Sequence, residues 1–352
     1  MGGFSAVKLI YTFSANKPLE NVSEYKYLGV YFNEHLDFNT NATTLCQASG
    51  RALGGIVSKY KQTNFMGYST YTKLYENCVI PVMNYCSGVW GYKKFNKTDQ
   101  IQQRAMRIFL GVHKFTPIAS LYGDMNWLKP QYKRWIEIIR LWNRFLTLPE
   151  DRLTKQIFEI DYSNSAELDN WCSKVCSILT ESNHPELFHN KQFCNLKILE
   201  DYLFEKQKQE WKIEIANKPK LRFYKSFKDN MSTENYVKFN LSCSERSLIA
   251  QLRMGILPIA IETGRFINLP IEERICNICD LSEVEDEWHF IFRCTCFTEE
   301  REEFFNNIVR NNQEFIYLDE ENQMKYLFNE VHRTFAKYIK VCFDKRKRIL
   351  FV

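Results

Sequence analysis

The spacing of apolar residues changes once along the chain, close to residue 40. In YKYLGVYF, residues 25–32, apolar side chains recur at every second position, and a period of two predicts a strand. The segment Val7–Phe13 is rich in β-branched and aromatic residues, which predicts a second strand beside it. We therefore expect a small β element in the N-terminal part of the chain.

After residue 40 the apolar residues repeat every three or four positions, which predicts helices. The first helix starts at about Thr40, and we expect it to pack closely against a neighbour through Gly50, Gly54 and Gly55. The next helix contains Pro81, which should kink it because proline lacks the backbone N–H.

Four further helical regions complete a fold class that is mainly α. One short helix should have Thr98 as its N-cap and Gly111 just beyond its end. Residues 127–149 and 195–219 carry long helical patterns, and a final helix is predicted from Asp319 to Phe343.

Composition and charge exclude some classes of protein. Of the 352 residues, 45% are hydrophobic and 25% charged, which is globular rather than disordered composition. No apolar run reaches the roughly 18–20 residues of a membrane helix, and the N-terminal sequence does not resemble a secretory signal. The twelve cysteines should therefore be reduced, and either buried or bound to metal. A net charge of +5 permits a nucleic-acid partner without requiring one.

Three cysteines and a histidine stand at a spacing typical of zinc sites. Cys276, Cys279, His289 and Cys294 form the pattern C-x2-C-x9-H-x4-C. Three thiolates and one imidazole make a closed tetrahedral set, which is typical of structural rather than catalytic zinc. The alternative is a group of buried free cysteines with an unrelated histidine, and Cys296 is the substitute ligand if Cys294 does not bind.

Several sequence blocks, taken in order, resemble one family. ETGRFINLPIEERICNIC, VEDEWHFIFRC and EEREEFF resemble the zinc-binding C-terminal segment of reverse transcriptases from non-LTR (LINE-like) retrotransposons. Upstream, LENVSEYKYLGVYFNEHLDF resembles the strands that end the polymerase palm of those proteins. KLYENCVIPVMNYCSGVWG and IQQRAMRIFLGV resemble their thumb helices. KPKLRFYKSFK and RSLIAQLRMGILPIAIETGRF resemble the connector that precedes the zinc segment.

The resemblance implies five segments and no catalytic centre. The palm of the family uses an Asp-Asp pair to hold two magnesium ions, and this chain contains no such pair. We therefore expect no polymerase activity from the chain by itself. The implied segments are end-of-palm strands (1–37), thumb-like helices (38–118), a helical connector (119–270), the CCHC zinc knuckle (271–305) and a C-terminal helix with a basic end (306–352).

Basic residues at three places in the thumb-like and connector segments are candidates for phosphate contacts. The connector run KPKLRFYKSFK interleaves cations with rings, which suits single-stranded nucleic acid, although such rings are equally typical of a core. The helix after residue 127 has an acidic residue on its basic stripe, so a solvated face is the alternative there. The candidate nucleic-acid contacts are Arg104, Arg107, Lys133, Arg140, Arg144, Lys220, Arg222, Tyr224, Lys225 and Lys228.

The sequence thus predicts a zinc-containing remnant of a reverse transcriptase that binds RNA or DNA largely without regard to base sequence. Two alternatives stay open: part of an active RNA-directed DNA polymerase whose palm is supplied separately, or a zinc-stabilised protein-interaction module. We expect an intracellular protein, in the nucleus or the cytoplasm, with the nucleus favoured. The basic run Lys345–Arg348 fits a nuclear localisation patch or a charged helix end.

Overall fold

The computed structural model describes residues 12–13, 17–18, 20 and 22–350. Two antiparallel strand pairs lie near the N-terminus: β1 (Thr12–Phe13) with β2 (Lys17–Pro18), and β3 (Glu24–Tyr27) with β4 (Val30–Asn33). The small N-terminal β element is confirmed. Residues 7–11 of the predicted first strand lie outside the described residues.

The single strand predicted over residues 25–32 is wrong, because a two-residue turn divides it into β3 and β4. Leu28 and Gly29 both adopt positive φ angles, 46° and 88°, which is the geometry of a tight hairpin. The Tyr85 hydroxyl donates to the Leu28 carbonyl at 3.0 Å and fixes the turn against the helical body. The residues with the alternating pattern therefore belong to two short strands joined by one turn.

The rest of the described chain is mainly helical, as predicted. A π-helical stretch, Tyr75–Val79, separates α2 from α3 and precedes Pro81, so the regular α-helical pattern is interrupted close to the proline. The helices are α1 (Asn39–Thr63), α2 (Tyr68–Leu74), α3 (Ile80–Met83), α4 (Ser87–Trp90), α5 (Asn96–Leu110), α6 (Ile118–Met125), α7 (Pro130–Leu146), α8 (Leu153–Ser163), α9 (Trp171–Glu181), α10 (Pro185–His189), α11 (Leu196–Ala216), α12 (Asn235–Lys238), α13 (Cys243–Arg253), α14 (Ala260–Thr263), α15 (Thr298–Asn311), α16 (Glu320–Asn329) and α17 (His332–Leu350).

Two predicted helix boundaries need correction. Thr98 is not the N-cap of α5, which begins at Asn96; its hydroxyl is buried, donates to the Phe95 carbonyl and accepts from Arg134. The final helix is broken into α16 and α17, which pack against each other and bring the rings of Phe328 and Phe335 to 5.5 Å. Gly111 ends α5 with a φ of 68°, as predicted.

The glycines of α1 do not serve the purpose predicted for them. A β-carbon on Gly54 or Gly55 would have no neighbouring atom within 4 Å, and both residues are exposed. A β-carbon on Gly50 would lie at an ordinary 3.5 Å from Ile101 of α5. Close helix packing therefore does not explain Gly54 and Gly55, which leave a stretch of α1 backbone open to solvent.

One large hydrophobic core crosses most of the chain. It contains Tyr71 and Phe109 of the thumb-like helices, Tyr224 of the connector, Phe290 beside the metal ligands, and Ile339 of α17. A second core lies between α7, α8, α9, α10 and α11, and a third joins β4 to α1. Four of the five segments implied by the resemblance, from residue 38 onward, therefore share one continuous interior, whereas Val30 of β4 packs into the third core.

A buried charged network lies where α6 meets the connector. The carboxylate of Asp124 accepts hydrogen bonds from the Tyr224 and Tyr236 hydroxyls at 2.8 and 2.7 Å. Arg253 lies 3.3 Å from the same carboxylate and 2.7 Å from Glu234. Because every charge has a partner, burial of this group is tolerated and fixes the register of α6, α12 and α13.

Candidate metal centre and nucleic-acid interface

The four predicted metal ligands lie together. One ligand atom from each of Cys276, Cys279, His289 and Cys294 lies within 4.8 Å of all the others. The Sγ atoms of Cys276 and Cys294 are 3.9 Å apart, and Cys279 Sγ is 3.4 Å from His289 Nε2. Such a Cys3His cluster could bind a metal ion.

Local backbone geometry brings the ligands to one point. Ile275 and Val284 form an isolated antiparallel bridge, so Cys276 and Cys279 lie in the turn that the bridge closes. His289 starts a π-helical turn that ends at Arg293, and the Cys294 N–H donates to the His289 carbonyl at 2.8 Å. A π-turn bonds residues five apart, which explains why the x4 spacing places both side chains on the same side.

Neighbouring groups orient and charge the ligands. Glu283 Oε2 lies 3.1 Å from His289 Nδ1, which turns Nε2 toward the thiols. The hydrogen bond between Cys276 and Cys294 lowers the pKa of the Cys276 thiol and raises that of Cys294, and burial raises the pKa of Cys279, so Cys276 is the thiol of the three that is favoured as a thiolate. Cys296 is outside the cluster and its thiol contacts the Ile278 carbonyl.

The metal-binding segment is also connected to distant parts of the chain. The buried carboxylate of Glu287 accepts from Arg222 of the connector at 2.7 Å. Glu285 accepts from both Arg346 of α17 and the Ala260 N–H, each at 2.6 Å. Because Arg346 belongs to the basic run at 345–348, part of that run binds the protein itself rather than lying free as a localisation patch.

The structure corrects the predicted nucleic-acid contacts in the connector. Tyr224 is fully buried and hydrogen-bonded to Asp124, so its ring is not placed to stack on a base. Lys228 is 3% exposed and pairs with Glu234, and Lys220 pairs with Glu262 at 2.7 Å. The alternative, that the rings of this run are core, agrees with the burial of Tyr224, while Arg222 is engaged with Glu287 as described above. Only Lys225 is exposed without an ion pair to a described residue.

The remaining predicted contacts differ in exposure and in whether an acidic residue balances their charge. On α7, Lys133 lies 3.4 Å from Glu76, and Arg140 lies 2.6 Å from Glu137, so both charges are partly balanced. Arg144 and Arg104 are exposed and form no ion pair with a described residue. The half-buried Arg107 has its pKa lowered by burial.

The thumb-like segment holds a larger concentration of positive charge that the sequence motifs did not reveal. Residues 38–118 contain ten Lys and Arg but two acidic residues, a net charge of +8 in a chain whose total is +5. None of the ten forms an ion pair with a described residue. Counting charge by segment, rather than searching for basic motifs, would have found it. The ten are Arg51, Lys59, Lys61, Lys73, Lys93, Lys94, Lys97, Arg104, Arg107 and Lys114.

The two long helices of this segment, α1 and α5, pack side by side. Lys97 of α5 donates to Thr43 of α1 at 2.8 Å. On the exposed side of α1, Arg51 lies one turn before the open Gly54–Gly55 pair, with Lys59 one turn after it. We call this combination of basic side chains and open backbone on α1 and α5 the basic face.

The metal-binding segment has the opposite charge. Residues 271–305 contain eleven acidic and three basic residues, a net charge of −8. Glu285, Glu287 and Glu300 are balanced by Arg346, Arg222 and Lys345 from other segments, but the remaining acidic residues still outnumber the basic ones, and such an excess repels phosphate. The negative charge of this segment therefore argues against direct contact between a zinc knuckle and nucleic acid. A purely structural role is consistent with that charge.

No protein-family model, curated protein or solved structure matches the chain. Within residues 22–350 no helix is both long and apolar enough to cross a bilayer.

We predict that Cys279→Ser removes most of the bound metal, because it deletes one of four ligands. Cys296→Ser is the matched control and should keep full metal content, since Cys296 is outside the cluster. The metal content of both purified variants and of the parent protein is measured by elemental analysis. The parent should contain one ion per chain. Equal metal loss in both variants, or no stoichiometric metal in the parent, would contradict the assignment.

Proposed function

We propose that this protein binds nucleic acid through the basic face and performs no catalysis by itself. The observation that carries the proposal is the +8 charge of residues 38–118, none of it balanced by an ion pair with a described residue. Phosphate backbones are the polyanions that such a surface attracts, and the attraction is independent of base sequence. The resemblance to the thumb region of non-LTR reverse transcriptases supports the same proposal.

We further propose that the metal is zinc and that its role is structural. Three thiolates and one imidazole fill all four tetrahedral positions that zinc favours, so no position is open for a substrate. Glu283 supplies the usual second hydrogen bond to the ligating histidine. A structural zinc also explains how an acidic segment can belong to a nucleic-acid-binding protein without touching phosphate.

The open glycines give the proposal a second support. Two adjacent glycines in the middle of a long helix each cost roughly 0.5–1 kcal/mol relative to alanine. No packing within the described structure requires them. A partner whose backbone approaches α1 closely does require them, and a nucleic-acid backbone over Arg51 and Lys59 is such a partner.

A protein-interaction module is the second candidate, favoured by one apolar patch. Phe266, Ile267 and Ile271 are 66%, 73% and 51% exposed beside the acidic metal-binding segment. Exposed apolar clusters of this kind mark protein contacts more often than nucleic-acid contacts. The two functions use different surfaces of the molecule, so the experiments below distinguish them.

The first test neutralises charge on the basic face. Lys59→Gln, Lys61→Gln and Arg104→Gln together should lower the magnitude of the slope of log affinity against log salt by about 2 to 3, because each phosphate contact contributes about 0.7 to 0.9. The control triple is Lys197→Gln, Lys208→Gln and Lys325→Gln, which removes the same charge from lysines already paired with acidic neighbours. Fluorescence anisotropy with single-stranded RNA and with a primed duplex gives the slopes.

Equal slopes for the two triples would contradict the basic face as the binding site. Binding weaker than about 10⁻⁴ M at physiological salt, the weak limit of ordinary non-specific affinity, would contradict nucleic-acid binding itself. The protein-interaction function would then be the one supported.

The second test uses the glycines, for which stability and binding should change in opposite directions. Gly54→Ala with Gly55→Ala should raise the free energy of unfolding by about 1 to 2 kcal/mol, since neither methyl group meets an atom. The same variant should bind nucleic acid more weakly, because the methyl groups hold a backbone away from α1. Urea unfolding and anisotropy measure the two effects.

Gly50→Ala is the matched control for the glycine pair. Its methyl group points to Ile101 rather than to the exposed side of α1, so helix stability should rise while binding stays unchanged. A stabilised Gly54→Ala, Gly55→Ala variant with unaltered affinity would show that nothing approaches this part of α1.

A further inference from the structure

A mostly apolar pocket opens between the β-hairpin, α4 and helices α7, α8 and α9. Its volume is about 510 Å³, within the range of pockets that hold small ligands. The Trp171 indole N–H donates to the Gly88 carbonyl at 2.8 Å, which fixes one wall. Rings and branched side chains from five elements form the walls, among them Phe32, Leu36, Val89, Tyr92, Phe145 and Trp171.

The mouth of the pocket carries cations beside an aromatic ring. The ammonium groups of Lys93 and Lys174 lie 5.8 and 5.7 Å from the centre of the Tyr92 ring. Lys174 is paired with Asp169, whereas Lys93 forms no ion pair with any residue that the structure describes. One ammonium charge is therefore free at the mouth.

The second carboxylate at the pocket does not balance that free charge. Asp161 accepts the Cys172 N–H at 2.9 Å, so it faces the positive N-terminal end of α9. Asn170 beside it caps the same helix through Ser173. The pocket thus combines flat apolar walls, a small polar edge and one free cation.

We propose that this pocket takes one unstacked base of a single-stranded nucleic acid, with the adjoining phosphate on Lys93. The inference rests on the proposed function and specifies it, because Lys93 belongs to the basic segment and is followed closely by the exposed Lys94 and Lys97. A base among aromatic side chains gains stacking energy whatever its identity, which agrees with binding that ignores sequence.

An amphipathic helix of a partner protein is the rival occupant. The exposed side of α8 shows Leu153, Ile157 and Ile160 at 71%, 57% and 64% exposure, a stripe that suits a helix. Of these three, only Ile157 lines the pocket. The half-open space between aromatic walls and the free ammonium at its mouth match a flat ring that carries a phosphate better than a helix side chain.

The test compares two oligomers of equal length and charge, a ten-residue oligodeoxyadenylate and a ten-residue abasic sugar-phosphate strand. Anisotropy at near-physiological salt should show the base-containing strand binding about tenfold more tightly or better, the ordinary effect of one stacked base. Val89→Gln places a neutral, longer side chain in the pocket and should abolish this difference without changing affinity for the abasic strand. Leu153→Gln, an equal change outside the pocket, should preserve it.

The outcomes separate this inference from the proposed function. If neither strand binds, nucleic-acid binding itself fails. If both strands bind equally, or if Val89→Gln preserves the difference, the basic face binds phosphate but the pocket holds no base. Photocrosslinking of the parent protein with a 4-thiothymidine strand gives an independent readout: peptides containing Tyr92 or Trp171 support the inference, and crosslinks found only elsewhere overturn it.

Discussion

The conformation of residues 276–294 constrains much of the molecule, and the proposed zinc is what fixes it. This segment has an isolated bridge and one π-turn as its regular structure, so backbone hydrogen bonds alone hold it weakly. Structural zinc contributes on the order of 10 kcal/mol to such units. Arg222, Arg346 and the Tyr338 hydroxyl all bond to the segment, so the connector and α17 are positioned by it.

The two oppositely charged segments, residues 271–305 and 38–118, have different roles in the proposed function. Residues 271–305 have a net charge of −8 and residues 38–118 one of +8, so in the proposed function phosphate is repelled by the first segment and attracted by the second. The two segments are joined by one continuous hydrophobic core, which contains both Phe109 and Phe290. In the proposed function the zinc stabilises residues 276–294, and the basic face contacts the nucleic acid.

Features that depend on the local spacing of residues were predicted from the sequence. Features that depend on tertiary packing were not. The grouping of the four metal ligands and the mainly helical body follow from local pattern, and both were confirmed. Tyr224 was misjudged because its partner, Asp124, is a hundred residues away and no local signal shows the hydrogen bond. The glycines of α1 were misjudged because small residues in a helix suit close packing and open surface equally well.

Hydrogen exchange with and without a single-stranded oligonucleotide tests most directly which segment contacts the nucleic acid. The account predicts slower exchange in α1 and α5 when the strand is bound, with residues 271–305 unchanged, because only the basic face is in contact. Protection confined to residues 271–305 would contradict the account, since the acidic metal-binding segment would then be the nucleic-acid site.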